Sequence, residues 1–423
     1  MPASPGTPSL TAAPTRGAAY AALGVLTAIN LLNYLDRYVV APLYSDLHAA
    51  MGLSYEQFGL LLPAFMVVYM VAAPVFGHWG DRGSRTRPIA LGVGVWSVAT
   101  LLSGITRTFP ELLGARAVVG IGEAAMVAIA PALLADLFPA AGRARVYAVL
   151  NMAIPVGAAL GYVVGGQIAA HFSWRHAFFV AGAPGLLLAL AALWLPDPPR
   201  GIQDRAGGAP PATDPRGPVA RYASLLRRPL YMAVVLGYAA YTFGLGGLAA
   251  WMPTFLEQVR GIPKASAATD FGEIVVVTGF IGTFAGGWLA DYLLRHSRQA
   301  YLWFSGVVTL LAAPLAYYAL AAPERQVYLP AIVAAQLLLF MSTGPVSAAI
   351  INIVSPLERA SAGALTMFAI HLFGDVPSPW LIGHIADASS LARAVLIVPV
   401  AILVSGLIWL GCARAAAGAA PSS

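Results

Sequence analysis

Six ionisable side chains in this 423-residue chain stand inside long apolar runs, where ionisable groups are costly. Asp36 and Arg37 lie in LTAINLLNYLDRYVVAPL, Arg116 and Glu123 in RAVVGIGEA, and His371 and Asp375 in AIHLFGDVPSPWLIGHIAD. A charge at the centre of a bilayer costs about 2.5–3.5 kcal/mol on insertion scales, so those that persist usually face a cavity and act on ions or protons. Neighbours on a helix are about 100° apart, so Asp36 and Arg37 need not bond each other, yet both can reach one cavity. Asn33 lies one turn earlier on the same side. Arg116 and Glu123 are seven residues apart, two helical turns, and face one way about 10.5 Å apart along the axis. Gly120 and Gly122 thin the helix between them. Two acids and two arginines make a neutral set, which suits a site that must exist both empty and loaded. A desolvated carboxylate favours its protonated form and a nearby arginine opposes this. Moving cargo or helix relative to the arginine would then toggle a proton, with Asp36 and Glu123 as the coupling acids. Arg37, Arg116 and Asn33 would face an anionic cargo. Static pairing of the four charges is the alternative. His371 and Asp375, four apart, share a helix face, and Pro377 and Pro379 must kink that helix or leave carbonyls free. This suggests gating or coupling; a hydrogen-bonded structural histidine is the alternative.

The elements that hold these residues are membrane spans. Hydrophobic residues make up 59% of the chain and charged residues only 10%. Soluble proteins carry about 25% charged residues. Composition therefore excludes an ordinary soluble enzyme, a disordered chain and a nucleic-acid binder. The net charge of +6 comes from basic clusters between apolar runs, a topology signal rather than a binding stripe. Cys412 is the single cysteine, so neither an intrachain disulfide nor a Cys-based metal site is expected. HxxxH and Walker-type motifs are absent, and with glycines throughout, Gly-rich matches carry no weight. No enzyme activity, cofactor or metal is expected.

Twelve apolar stretches are long enough to span, at 18–44, 55–80, 86–107, 110–137, 144–170, 174–196, 229–256, 267–294, 299–321, 326–353, 359–385 and 389–413. They are too long for strands and lack period-2 alternation. The predicted class is an all-α integral membrane protein of two six-helix halves, 18–196 and 229–413. A Pro-, Gly- and charge-rich linker joins them over 197–228. Residues 1–17 read as a disordered tail rather than a signal peptide, and 414–423 as a C-terminal tail. Sixteen of the 24 basic residues fall in segments on the side of the termini, six on the other side and two within spans. The positive-inside rule then predicts both termini in the cytoplasm.

An internal repeat supports the division. Gly77-His-Trp-Gly-Asp81-Arg82-Gly-Ser-Arg85 follows the second span, and Gly287-Trp-Leu-Ala-Asp291-Tyr-Leu-Leu-Arg295 follows the eighth. A shared element half a chain apart indicates a duplicated transporter architecture. The pattern resembles the loop signature of the major facilitator superfamily, with the departure that Gly83 falls one place early and Thr86 interrupts the basic run. The acid at the helix end can pair with arginines or cap a neighbouring helix. Asp81, Arg82, Arg85, Asp291 and Arg295, joined by Asp136, Arg143 and Arg145, could latch one face and release on switching. A role in topology alone is the alternative for the arginines.

NYLDRY, GIGEAAMVAIAPALLADLF, GGLAAWMPTFL and RASAGALTMFAIHLFGDVPSPWLIGHIAD resemble the Spinster branch of that superfamily. The first two elements alone are also similar to the anion:cation symporter branch, and the H-x-x-G-D-x-P-S-P element favours Spinster. The resemblance implies a lysophospholipid or sphingosine-1-phosphate-like cargo moved with proton coupling. It also links Asp36, Glu123 and Arg116 to coupling and substrate. Arg37 and Arg116 can engage an anionic head group. Tyr238, Tyr241, Phe243 and Trp251 could line a tail pocket, with packing or lipid contact as the alternative. A proton-coupled symporter of small organic anions such as sugar acids is the second reading. The piece 218–230 could lie on anionic lipid. Protons and membrane lipids are the expected partners, with no nucleic acid and a monomeric chain. Lys264 is the only lysine, and the Arg- and Ala-rich usage points to a GC-rich bacterium, hence a bacterial inner membrane.

Overall fold

The computed structural model describes residues 15–139, 142–203 and 217–418. The expected tails and linker therefore lie partly outside the described residues. Among those described there is no strand, and twelve helical spans account for most of the residues. Spans 1 to 6 are Arg16–Val39, Tyr55–Arg82, Thr86–Ser103, Phe109–Leu137, Arg143–His171 and Trp174–Leu193. Spans 7 to 10 are Pro229–Gln258, Lys264–Leu294, Ala300–Ala321 and Arg325–Ile353. Span 11 is broken into Arg359–Ile370, a π-turn at His371–Asp375 and Pro377–Ala388; span 12 is Ile397–Gly418. Ten helices meet the length and hydropathy of a membrane crossing by themselves. Span 3, with 18 residues, and the interrupted span 11 complete the set.

These segments are helical because lipid offers the backbone no hydrogen-bond partner, so each N–H and C=O must be satisfied within its own helix. Their boundaries are set locally. Ser54 and Gln57 form a reciprocal capping box at the start of span 2. Gly52, at φ +69°, ends the short helix Tyr44–Met51 in the left-handed region that only glycine adopts freely. In the linker, Pro218–Leu226 is helical. Its Leu225 is buried, and Arg228 beyond it pairs with Glu358 at 2.9 Å.

Within the first half, span 1 packs on span 5, span 2 on span 4, and span 3 on spans 4 and 6. Within the second, span 9 packs on spans 10 and 12, and span 7 on span 12. The halves meet where span 5 crosses span 8 and span 2 crosses span 11. With twelve spans, both ends of the described chain lie on one face, here called the terminal face; the other is the far face.

Hydrogen bonds between the halves cluster on the far face. Asp387, at the end of span 11, accepts from the Tyr55 and Glu56 backbone N–H groups at 2.9 and 2.8 Å, capping span 2 from the opposite half. Glu56 accepts from Trp380 Nε1 at 2.9 Å and sits 3.0 Å from His384 Nδ1. Tyr55 donates to Gln258 at 2.7 Å, and Lys264 donates to Asp46 at 2.5 Å. This crossing is tight because two glycines let backbones touch. A Cβ on Gly59 would lie 2.4 Å from the Pro379 oxygen, and one on Gly383 2.3 Å from that of Tyr55. Tyr44, Tyr55, Phe58 and Trp251 stack behind the polar rim, with Tyr44 and Tyr55 ring centroids 4.4 Å apart. The far face is sealed.

Candidate functional site

Below that seal a cavity of about 640 Å³ lies between the halves. Tyr162, Ala249 and Phe271 line its deep end, and Ala148, Phe284 and Thr343 line it toward the terminal face. Spans 2, 5, 7, 8 and 10 supply mostly apolar walls. Two charged side chains reach this wall, Arg37 from the first half and Asp375 from the second.

Arg37 is 12% exposed and bonds Glu123 Oε2 through Nε at 2.8 Å and Nη2 at 2.7 Å. Its guanidinium lies 4.6 Å from the Tyr34 ring centroid and 4.9 Å from that of Phe65, which holds the plane in place. Nη1 carries no hydrogen bond among the described residues. Glu123 is fully buried behind Arg37, and its Oε1 has no partner among the described residues.

The second pair, at the adjacent residue of span 1 and two turns away on span 4, is closed off. Arg116 and Asp36 are both fully buried. Arg116 Nη1 donates to both carboxylate oxygens at 3.0 and 3.1 Å, and Nη2 donates to the Asp36 backbone oxygen at 3.0 Å. Thr100 adds a hydroxyl to Asp36 Oδ1 at 2.9 Å. Neighbouring helices come close enough to bury these charges because span 4 is thin here. A Cβ on Gly120 would lie 2.1 Å from the Phe65 oxygen, and one on Gly122 2.3 Å from that of Gly92.

On the opposite wall, His371 Nδ1 lies 2.9 Å from Asp375 Oδ1 and 3.1 Å from Oδ2. The π-turn carries this pair: Val376 N–H reaches back five residues to the His371 oxygen at 3.1 Å. Pro377 and Pro379 contribute no N–H. The Thr242 hydroxyl on span 7 lies 3.1 Å from the Ile370 carbonyl and 3.0 Å from that of Ala239, so its one proton is shared between its own helix and this opened backbone.

Several residues expected at the cargo stand elsewhere in this conformation. Arg116 is withdrawn from the cavity wall because Asp36 takes both its terminal nitrogens. Asn33 is fully buried, and neither of its amide atoms has a partner. Tyr241 is buried and donates to the Leu339 oxygen at 2.6 Å; Tyr238, one turn earlier, lines the cavity. Trp251 belongs to the far-face seal, where Nε1 bonds the Pro379 oxygen at 3.0 Å.

The terminal-face charges divide in the same way. Arg85 is buried and bonds Asp136, with Asp197 at 2.7 Å. Arg143 donates to the Ala135 oxygen at 2.7 Å, closing the end of span 4. Asp81 is exposed beside a small pocket that Arg85, Asp136 and Arg200 also line. Asp291 accepts from Tyr301 at 2.6 Å. Arg82, Arg145 and Arg295 are exposed. Arg85 and Asp136 thus brace the first half internally, and among the described residues Asp81 and Asp291 reach no partner across the halves here.

Sequence reasoning missed Asp197 and the whole far-face seal. A signal for the seal was present. Gly383-His-Ile-Ala-Asp387 repeats the Gly-x-x-x-Asp spacing of Gly77 to Asp81 and Gly287 to Asp291.

A twelve-span chain of two packed halves around a central cavity is the architecture of a membrane transporter. The pattern of the Major Facilitator Superfamily matches residues 26–379. Protein spinster homolog 3 of Danio rerio is 36% identical over 405 residues, covering 91% of this chain and 80% of that protein. Protein spinster of Drosophila melanogaster is 33% identical over 375 residues, covering 86% of this chain and 61% of that longer protein. Among solved structures, an inward-facing, unoccupied bacterial homolog of the human lysosomal transporter Spinster superposes with a TM-score of 0.84. It is 24% identical and covers 95% of this chain and 98% of its own. A D-xylose–proton symporter shares the fold at a TM-score of 0.68 and 18% identity, covering 93% of this chain and 96% of its own. The chain belongs to the Spinster family of the major facilitator superfamily.

Proposed function

We propose that this transporter moves amphiphilic organic anions, of the lysophospholipid or sphingosine-1-phosphate type, by alternating access coupled to protons. The observation that carries this reading is Arg37, whose Nη1 is free beside an otherwise largely apolar cavity. A guanidinium at one point of a greasy wall suits a cargo with one anionic end and one long apolar part.

The Arg37–Glu123 bond supplies the coupling. Glu123 and an anionic head group compete for one guanidinium. When Glu123 is protonated, its hold on Arg37 weakens and the arginine is free for cargo. The partnerless Oε1 gives the proton a place that breaks no existing bond. Proton and anion then favour the same state, and by linkage each strengthens binding of the other. This is the arrangement of a symporter. Asp36 enters by holding Arg116, which fixes the field behind Glu123; Tyr34, Tyr38 and Tyr69 are further ionisable groups near Arg37. His371 and Asp375 report cargo to span 11 through the π-turn. As the cavity opens to the other face, Asp81 and Asp291 take over the latching that Asp387 performs on the far face. The arginine distribution supports both termini in the cytoplasm of a bacterial inner membrane, so that this conformation faces inward.

The test is uptake into proteoliposomes across a panel of lysolipids and sugar acids, with internal pH recorded. Lysolipid-dependent proton movement is the expected result. Transport of sugar acids alone, without competition by lysolipids, would replace the lipid reading by a small-anion symporter. Lysolipid movement with no proton flux would remove the coupling.

A further inference from the structure

Asn33 is fully buried in span 1, and among the described residues neither of its amide atoms has a hydrogen-bond partner. A buried amide left unbonded is costly, and a leucine of similar size would avoid that cost. Asn33 precedes Asp36 by three residues and Arg37 by four, so its direction on the helix lies between theirs. Both of those side chains reach span 4, Asp36 at Arg116 and Arg37 at Glu123. Asn33 therefore faces span 4 between the two ion pairs. Each pair leaves one buried atom without a partner among the described residues, Arg116 Nε in one and Glu123 Oε1 in the other. The four orphaned atoms are two donors, Asn33 Nδ2 and Arg116 Nε, and two acceptors, Asn33 Oδ1 and Glu123 Oε1. Together they complement a water molecule, which donates and accepts in equal number. A metal cation would fit poorly, because N–H groups would face it. Buried waters typically make about three bonds to polar groups of this kind.

Resting on Glu123 as the coupling acid, we infer that Asn33 holds a buried water between the two ion pairs, and that this water sets when Glu123 takes up its proton. Asn33 is then a positioning residue, acting on Glu123 through the water. With Glu123 charged, the water donates to Oε1. With Glu123 protonated, the water turns and accepts from it. The bond to the charged form is the stronger of the two, so the water favours the carboxylate. The other ionisable groups facing Glu123 are Asp36 and Arg37 on span 1, Arg116 on span 4 and Tyr69 on span 2. None of them bonds Oε1.

Infrared difference spectra between low and high pH, taken on the purified full-length protein in bilayers, read both the acid and the water. Protonated Glu123 gives a carboxylic C=O band, assigned by its loss in Glu123→Gln. Wild-type spectra should also contain a water O–H band that shifts in water labelled with heavy oxygen. Asn33→Leu should remove this label-sensitive band and raise the C=O frequency, as a hydrogen bond is lost. It should also move the midpoint of the C=O titration upward by about one pH unit, the roughly tenfold worth of one bond to a charged group. Asn33→Ser keeps a donor and an acceptor and should stay near the wild type. A wild-type spectrum with no label-sensitive band overturns the inference, and this needs no variant to fold. An unchanged midpoint and frequency in Asn33→Leu also overturns it, and leaves Glu123 as the coupling acid. If Glu123→Gln loses no carboxylic band, the coupling reading itself fails and this inference falls with it.

Discussion

The two arginine–carboxylate pairs of the first half use adjacent residues of span 1 and residues two turns apart on span 4, and they do different work. Asp36–Arg116 is closed off: both carboxylate oxygens accept, both terminal nitrogens donate, neither residue is exposed, and Arg116 Nε is left without a partner among the described residues. Arg37–Glu123 is incomplete on both sides, with a free Nη1 toward the cavity and an orphan Oε1 behind it. The same residue types at nearly the same depth therefore make an anchor in one place and an exchangeable contact in the other. The difference lies in access to the cavity, which Arg37 has and Arg116 lacks.

The contrast can be broken from the anchor side. Removing one partner of a fully buried pair costs about 3–5 kcal/mol because the other charge is stranded. Arg116→Ala should therefore lower the thermal stability of the purified protein far more than Arg37→Ala. Equal melting temperatures for the two variants would end the distinction. From the working side, Arg37→Ala should leave a folded protein that binds anionic lysolipids at least about tenfold more weakly, the loss of a charge-assisted bond. Full retention of binding would move the anion site elsewhere.

Glu123→Gln gives a sharper test. It removes the proton site and keeps the shape. Binding of an anionic amphiphile should become independent of pH and match the low-pH affinity of the wild type. The sign follows from competition: protons weaken the hold of Glu123 on Arg37, so wild-type affinity falls as pH rises. Titration calorimetry at several pH values reads this directly, and wild-type-like pH dependence in the variant would exclude Glu123 as the proton site. Asp36→Asn should instead behave like a weakened anchor, with lower stability as its main effect.

The comparison extends to the helix ends, with a smaller effect. Asp387 caps span 2 across the halves, whereas Asp81, with the same Gly-x-x-x-Asp spacing, reaches no partner across them. A lost cap costs about 1 kcal/mol, or about fivefold in the ratio of two conformers. Asp387→Ala should shift the protein toward opening on the far face by this amount, measured as distances between spin labels on spans 2 and 11. An unchanged distance distribution would show that the aromatic layer alone holds the seal.

Much of this was legible in the sequence. Span lengths, the division into halves, the two-turn spacing of Arg116 and Glu123 and the glycines between them follow from local periodicity. The shared face of His371 and Asp375 does too. Which acid meets which arginine is not local. Asp36 and Arg37 are adjacent in sequence, yet Asp36 faces span 4 at Arg116 and Arg37 faces it at Glu123. That choice depends on how span 1 is rotated and how far it is shifted along span 4. Tyr238 and Tyr241 differ for the same reason, since three residues of rotation carry one to the cavity and the other to span 10.

The sequence by itself determined that this chain spans a membrane twelve times, is built from two halves, and carries a few charges too costly to be incidental. Only the tertiary structure decided which of those charges are sealed and which face the cavity, and on which face the halves are joined. Spacing along a chain fixes direction within one helix. Burial, pairing and access depend on the neighbouring helix, whose register is set by close packing at glycines and cross-half bonds that lie far apart in sequence.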